Sequence, residues 1–337
     1  MDINNIIKSK IQKFIKLNDS SSLILKTSNR YNIKKINKSI NIFINLELIN
    51  NIRWINKFHE SVNMNLNIGN YYVICSETLE ERRKIIFEKS PFGFKTLIRV
   101  FDFIYKRVLP KLPFFKKIYF SITRGHNRVL SKAEILGRLI SCGFEIVEYF
   151  EHSNLFYVIS KKNTEPDYNL NPSYSPVFKM KRIGFQGKII RVYKLRTMYP
   201  YSEYLQDLII KENKLAKSGK VLNDYRITTW GRFCRKFWID ELPMILNFLR
   251  GDLNIVGVRP LSIVYFKKYP KDIQDMRLKI KPGLIPPYYA DMPKNFDEIL
   301  ESEKRYLKSK FKNPLLTDIK YFYMSFVNII FKGARSN

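Results

Sequence analysis

Two acidic residues stand side by side at Asp240 and Glu241, and arginines at 226, 232, 235 and 259 flank them. Guanidinium forks match phosphate oxygens two at a time and stay charged. A carboxylate pair among arginines therefore suits phosphoryl transfer. One carboxylate can ligate Mg²⁺, with the metal and the arginines then sharing the phosphate charge. A carboxylate can also be the nucleophile, giving an acyl phosphate. A purely structural reading stands beside these. Asp240, Glu241 and Pro243 also look like a helix start, with an N-cap Asp, an acid in the first turn and an early proline. Arg232 and Arg235, three apart, would then be a solvated helical face.

The elements that must hold these residues are legible around them. Gly184 and Gly187 predict a hairpin turn, and Ile189–Met198 reads as the strand that follows. On that strand Tyr193 and Leu195 alternate onto one face, which is assigned to the core. Gly251-Asp252 reads as a turn after a helix C-terminus. Upstream, three prolines among Asn, Asp and Ser between 163 and 176 break any helix. The expected organisation is a first domain at 1–162, a linker at 163–175 and a second domain at 176–337, in the α/β class.

The blocks YKLRTM (193–198), DYRITTWGRFCRKFWIDELPMILNFLRGDL (224–253) and VGVRP (256–260) together resemble the bacterial sugar transferase family. These are monotopic polyprenyl-phosphate phosphoglycosyl transferases of exopolysaccharide, capsule and glycan assembly. The resemblance implies a mixed, helix-rich domain in which Asp240 attacks the β-phosphate of a nucleotide diphosphate sugar. A nucleoside monophosphate leaves, and polyprenyl phosphate then takes the phosphosugar. It implies Mg²⁺ as cofactor, with Glu241 as the contributing carboxylate. It assigns Arg259 and Pro260 to nucleotide and phosphate binding, and Arg196 and Arg226 to the other basic motif positions. Arg226, Arg232, Arg235, Arg259 and Mg²⁺ are expected to keep Asp240 at a low pKa. Three departures stand out. The polar stretch 160–176 replaces the family's re-entrant membrane helix, Val258 replaces a proline, and the loop Pro282–Pro287 is rebuilt. A non-catalytic scaffold of a glycan-assembly complex is the alternative.

In the first half, Tyr71–Ser76 reads as a buried strand. Ser131 to Glu134 resembles a capping box opening a helix that Gly143 ends, and strands at Phe144–Tyr149 and Leu155–Ile159 pair behind it. That close resembles the end of an S-adenosylmethionine methyltransferase domain. The five glycines before residue 176 never form a Gly-rich cofactor turn, so a degenerate domain is expected, with no S-adenosylmethionine.

Charge favours anionic partners, whether nucleic acid, an acidic membrane surface or phosphorylated substrates, without choosing among them. The chain of 337 residues carries 60 Lys+Arg against 30 Asp+Glu, a formal charge of +30. The excess is +13 over residues 1–175 and +17 over 176–337, so it is spread and not a nucleic-acid tail. No nucleic acid is expected as partner. Three cysteines and three histidines, all scattered, indicate neither a disulfide framework nor a zinc site. No apolar run is long enough to span a bilayer, and Met1–Lys16 lacks the pattern of a signal peptide. A cytoplasmic protein, peripheral on the inner face of the cytoplasmic membrane, is expected. Anionic lipid would attract its basic–aromatic segments Leu97–Phe120 and Tyr321–Lys332.

Overall fold

Strand Ile40–Leu48 shows how the first half is built. Ile42, Phe43 and Ile44 in succession are buried, as in a strand covered on both faces. A computed structural model describes residues 5–14, 22–36, 40–168, 175–212 and 224–333. Its contacts divide into two units.

The first unit runs α1 (Asn5–Gln12), β1 (Ser22–Leu25), α2 (Arg30–Lys34), β2 (Ile40–Leu48), α3 (Ile55–Met64), β3 (Leu66–Ser76), α4 (Leu79–Lys89), α5 (Lys95–Phe103), α6 (Pro113–Thr123), α7 (Lys132–Ser141), β4 (Phe144–His152) and β5 (Leu155–Lys162). Its sheet has the order β1-β2-β3-β5-β4. β1, β2 and β3 are parallel, and β5 is antiparallel to both its neighbours. Ser131 caps α7 by accepting from the Glu134 amide, as expected. Gly143, at φ +85°, turns the chain into β4.

The unit also takes in Tyr199–Glu212, with α8 (Gln206–Glu212), a stretch expected in the second half. The Tyr201 hydroxyl receives hydrogen bonds from Asn56 Nδ2 at 3.0 Å and Arg138 Nη1 at 3.2 Å. A Cβ on Gly137 would meet Tyr201 Cβ at 2.7 Å, so only glycine lets α7 approach that backbone. The compact units thus do not follow the contiguous division drawn from prolines. The expected linker falls partly outside the described residues, which resume at Ser175 after Tyr168. So do parts of the Met1–Lys16 segment.

The second unit contains β6 (Val177–Ile183), β7 (Ile189–Leu195), α9 (Thr229–Lys236), α10 (Ile245–Leu249), β8 (Asn254–Val256), α11 (Ile263–Phe266), α12 (Lys271–Leu278), β9 (Gly283–Ile285), α13 (Tyr288–Asp291), α14 (Phe296–Lys312) and α15 (Pro314–Phe331). β6 and β7 form the expected hairpin, with Gln186 and Gly187 at positive φ in the turn. One apolar cluster joins Val256, Val258, Leu261, Tyr269 and Ile273 to Tyr306 and Leu307 of α14 and Tyr321 of α15. A smaller one joins Val192 of β7 to Met244 and Leu253. The mixture of helix and strand agrees with the α/β class. Among the described residues no helix is long and apolar enough to cross a membrane.

Candidate active site

Asp240 and Glu241 sit in a 3-10 turn, Ile239–Met244, between α9 and α10. The N-cap position of that turn is Trp238, held in the left-handed region at φ 53°, and it makes no side-chain cap bond. Asp240 lies inside the turn. The helix-cap reading of Asp240 is therefore wrong.

Three supports hold the turn. Asn247, fully buried on α10, accepts from the Tyr193 amide at 3.0 Å and donates to the Arg191 carbonyl at 2.8 Å. It stitches α10 to β7 by satisfying two backbone groups that would otherwise be unpaired. On the other side Trp238 Nε1 donates to the Tyr289 hydroxyl at 2.9 Å. The helix before the turn starts at Thr228, whose hydroxyl accepts from the Gly231 amide at 2.8 Å. A Cβ on Gly231 would overlap the Thr197 carbonyl. Gly231→Ala should therefore cost about 1–3 kcal/mol of stability, read by chemical denaturation. A variant as stable as the parent would show that α9 can move away from Thr197 freely.

Lys194 of β7 pairs with Glu241 Oε1, and Arg259 Nη2 lies 3.8 Å from the same oxygen. Arg259 Nη1 donates to the Tyr288 hydroxyl at 3.1 Å. Arg259 is placed by a joint between two sequence blocks. β8 and β9 pair in parallel, and Gly257 and Gly283 touch so closely that a Cβ on Gly257 would stand 2.8 Å from the Gly283 nitrogen. Arg277, itself ion-paired with buried Glu303, donates to the Arg259 carbonyl. Val258, the departure from the family's proline, is a core residue only 1% exposed. Arg235 Nε donates to Thr197 Oγ1 at 2.9 Å. These groups face an open cleft of about 1280 Å³ whose walls include Lys194, Arg232, Arg235, Asp240, Glu241 and Arg259.

The electrostatics differ from expectation. Burial raises the Asp240 carboxyl above its ordinary value. Lys194 and Arg235 pull it down, and neighbouring Glu241 pushes it further up. The protein's own cations alone do not hold Asp240 at the low pKa expected with Mg²⁺ among them. Partial desolvation of the carboxylate outweighs the cations present in the protein. Burial likewise lowers the Lys194 ammonium, against the pull of Glu241.

The family pattern of the bacterial sugar transferases matches residues 168–332. The second half of this chain is a bacterial sugar transferase domain. Over 135 residues the chain is 36% identical to the galactosyl transferase CpsE of Streptococcus agalactiae, covering 39% of this chain and 30% of the relative. It is 39% identical over 113 residues to an undecaprenyl-phosphate galactose phosphotransferase of Salmonella typhimurium, covering 32% and 24%. It is 40% identical over 111 residues to the sugar transferase EpsL of Bacillus subtilis, covering 33% and 48%. The chain spans about a quarter to a half of the length of these relatives.

Within the sugar transferase domain, six of the eight residues proposed from sequence share the cleft: Arg232, Arg235, Asp240, Glu241, Arg259 and Pro260. Two do not line it. Arg226 is buried against Asp224, with Nε at 2.9 Å and Nη2 at 2.7 Å from its carboxylate oxygens, because a buried guanidinium needs its own counter-charge. Arg196 turns to the Ser175 carbonyl at 3.0 Å. The guanidinium of Arg196 also lies over the ring of Phe178, itself a wall of the cleft. The residue missed was Lys194, two positions before Arg196 in the same block.

Proposed function

We propose that the sugar transferase domain moves a sugar-1-phosphate from a nucleotide diphosphate sugar to a polyprenyl phosphate. The observation that carries this is the Asp240–Glu241 pair meeting Lys194, Arg235 and Arg259 in one open cleft. The Salmonella relative, an undecaprenyl-phosphate galactose phosphotransferase, supports the substrate class.

An Asp240 carboxylate oxygen forms a bond to the β-phosphorus. The bond from that phosphorus to the bridging oxygen breaks, and nucleoside monophosphate leaves with the electron pair. Arg259 and Arg235 hold the phosphate charge, as fixed donors do best where charge develops. A polyprenyl phosphate oxygen then attacks the same phosphorus, Asp240 leaves as carboxylate, and polyprenyl diphosphate sugar is released. Apolar Trp230, Phe233, Leu242, Ile245 and Leu249 are exposed on α9, the turn and α10, which suits an acceptor with a hydrocarbon tail.

Mg²⁺ fits the donor set. Among the described residues no three acidic, His or Cys side chains cluster as a protein cage. Mg²⁺, however, commonly takes only one or two carboxylates and completes its shell with substrate phosphates and water. Glu241 would hold it through Oε2, since Lys194 and Arg259 both meet Oε1. The ion would supply charge neutralisation at the phosphates.

The first unit is read as methyltransferase-like and without cofactor, on the α7–β4–β5 close alone. Location on the inner face of the cytoplasmic membrane is supported by α15, where Leu315, Leu316, Ile319 and Tyr323 are exposed.

The test is a panel of nucleotide diphosphate sugars with Mg²⁺ and polyprenyl phosphate, read by release of nucleoside monophosphate. Release with one donor, dependent on Mg²⁺, is the expected result. No release from any donor in detergent or in vesicles would leave the scaffold reading instead.

A further inference from the structure

A dense run of exposed apolar side chains in the first unit lies on the excursion from Pro91 to Thr123. α5 buries none of its nine residues. Phe92 is 97% exposed, Phe101 73%, Phe114 74% and Ile122 70%, and Phe94 and Leu97 are exposed beside them. Soluble monomers rarely leave so many large apolar side chains together in water. The segment Lys95–Arg124 also holds eight basic residues against one acid, Asp102.

Within the segment that acid meets one of the eight, Lys106. It is spent on Arg82 of α4, whose Nε lies 2.7 Å away, and on Lys106 at 3.7 Å. At the far end of the following turn Arg107, 5% exposed, reaches Glu134 of α7 at 2.9 Å and the Val129 carbonyl at 2.7 Å. Tyr105 and Tyr119 pack edge to face at 5.7 Å, closing α6 back on the turn. The excursion is thus a helical hairpin tied to the rest of the unit by the Arg82–Asp102 and Arg107–Glu134 ion pairs, with its large apolar side chains and Arg99, Lys116, Lys117 and Arg124 left outward.

We propose that this α5–α6 hairpin is a membrane anchor, seated in the interface of an anionic bilayer. The occupant follows from chemistry. A protein groove covers a narrow stripe of a helix, whereas Leu97, Ile98, Val100, Phe101 and Phe103 of α5 are all exposed and only Lys95 and Asp102 are half-buried, which suits immersion among headgroups and upper acyl chains. Lys and Arg interleaved with Phe and Ile match an anionic interface, the basic groups at phosphates and the rings below them. A second copy would bring like charge against like charge. A nucleic acid would use the cations and leave the phenylalanines in water. The hairpin lies in the unit without the carboxylate pair, so the anchor does not depend on the transferase reading.

The experiment is flotation of the full chain with phosphatidylcholine vesicles and with equimolar phosphatidylcholine–phosphatidylglycerol vesicles. The parent is expected to float with the anionic vesicles, more at low salt than at high. The variant carrying Phe101→Ser, Phe114→Ser and Ile122→Ser should lose partitioning by about tenfold or more, since each change removes an inserted apolar side chain. Those side chains are exposed, so the thermal midpoint should hold. Flotation equal to the parent's would overturn the proposal. So would loss of self-association with flotation intact, since a second copy would then be the occupant. A labelled Phe101→Cys chain gives an independent reading, the three native cysteines being buried. An environment-sensitive dye there should shift to the blue when anionic vesicles are added, and an unmoved spectrum refutes the anchor. Neither readout requires turnover, so the anchor and the transferase reading fail separately.

Discussion

Asp240→Asn is expected to abolish sugar-phosphate transfer while leaving the fold as stable as the parent's, or slightly more stable. The amide has the shape of the carboxyl but no anionic oxygen to attack phosphorus. Loss of a nucleophile leaves only binding and electrostatic catalysis, so turnover should fall by about 10⁴-fold or more. The stability half follows from the raised carboxyl. A carboxyl whose folded pKa exceeds its unfolded value binds its proton more tightly when folded. Its stabilising share is present at low pH and is lost as pH rises through the folded pKa. Above that pKa ionised Asp240 is therefore a burden on the fold, and the neutral amide of the variant removes it. Denaturation midpoint and nucleoside monophosphate release on the same preparation check both halves. Retained turnover with unchanged stability would take Asp240 out of the mechanism. A large loss of stability would mean that the side chain is a structural support.

How far the sequence carried depends on the kind of signal. The carboxylate pair, the two flanking arginines of α9 and the Arg259 loop are local blocks, and the fold brings them into one cleft. The capping box at Ser131 and the hairpin at Gly184–Gly187 are equally local and fold as written. What escaped were facts decided by which partner each side chain meets in the fold. The alternation on β7 by itself places Tyr193 and Leu195 inward. The buried apolar residue is Val192, packed with Met244 and Leu253, because Asn247 clamps the strand on the other phase. A one-residue shift of phase exchanges the two faces of a strand. It carries Lys194 onto the face that meets Glu241. Arg226 resembled a phosphate ligand by type and neighbourhood. Only the fold shows that Asp224, two residues away, already neutralises it. The 199–212 stretch carries no sign in its own residues that Arg138 and Asn56 will bind Tyr201.

Lys194→Met should shift the pH dependence of the reaction as well as its rate. The side chain is 13% exposed and is the cation paired with Glu241, and its charge also pulls the Asp240 carboxyl down. Methionine keeps the stem and removes the ammonium. Two adjacent carboxylates then share a partly buried turn with less positive charge, and one of them holds its proton to higher pH. Asp240 must be ionised to attack, so the acid limb of the rate profile should move to higher pH. The limb belongs to the coupled pair, not to one residue. At neutral pH turnover should drop by about 10²- to 10³-fold, the usual loss for removing one preorganised charge beside a phosphoryl group. Raising the pH should recover part of that loss, because the remaining carboxylates ionise. A merely structural lysine would behave otherwise: its removal would lower the denaturation midpoint and scale the whole profile down without moving the limb. An unmoved acid limb with reduced rate would therefore restrict Lys194 to packing, and a limb displaced upward would establish it as the group that keeps Asp240 ready to attack.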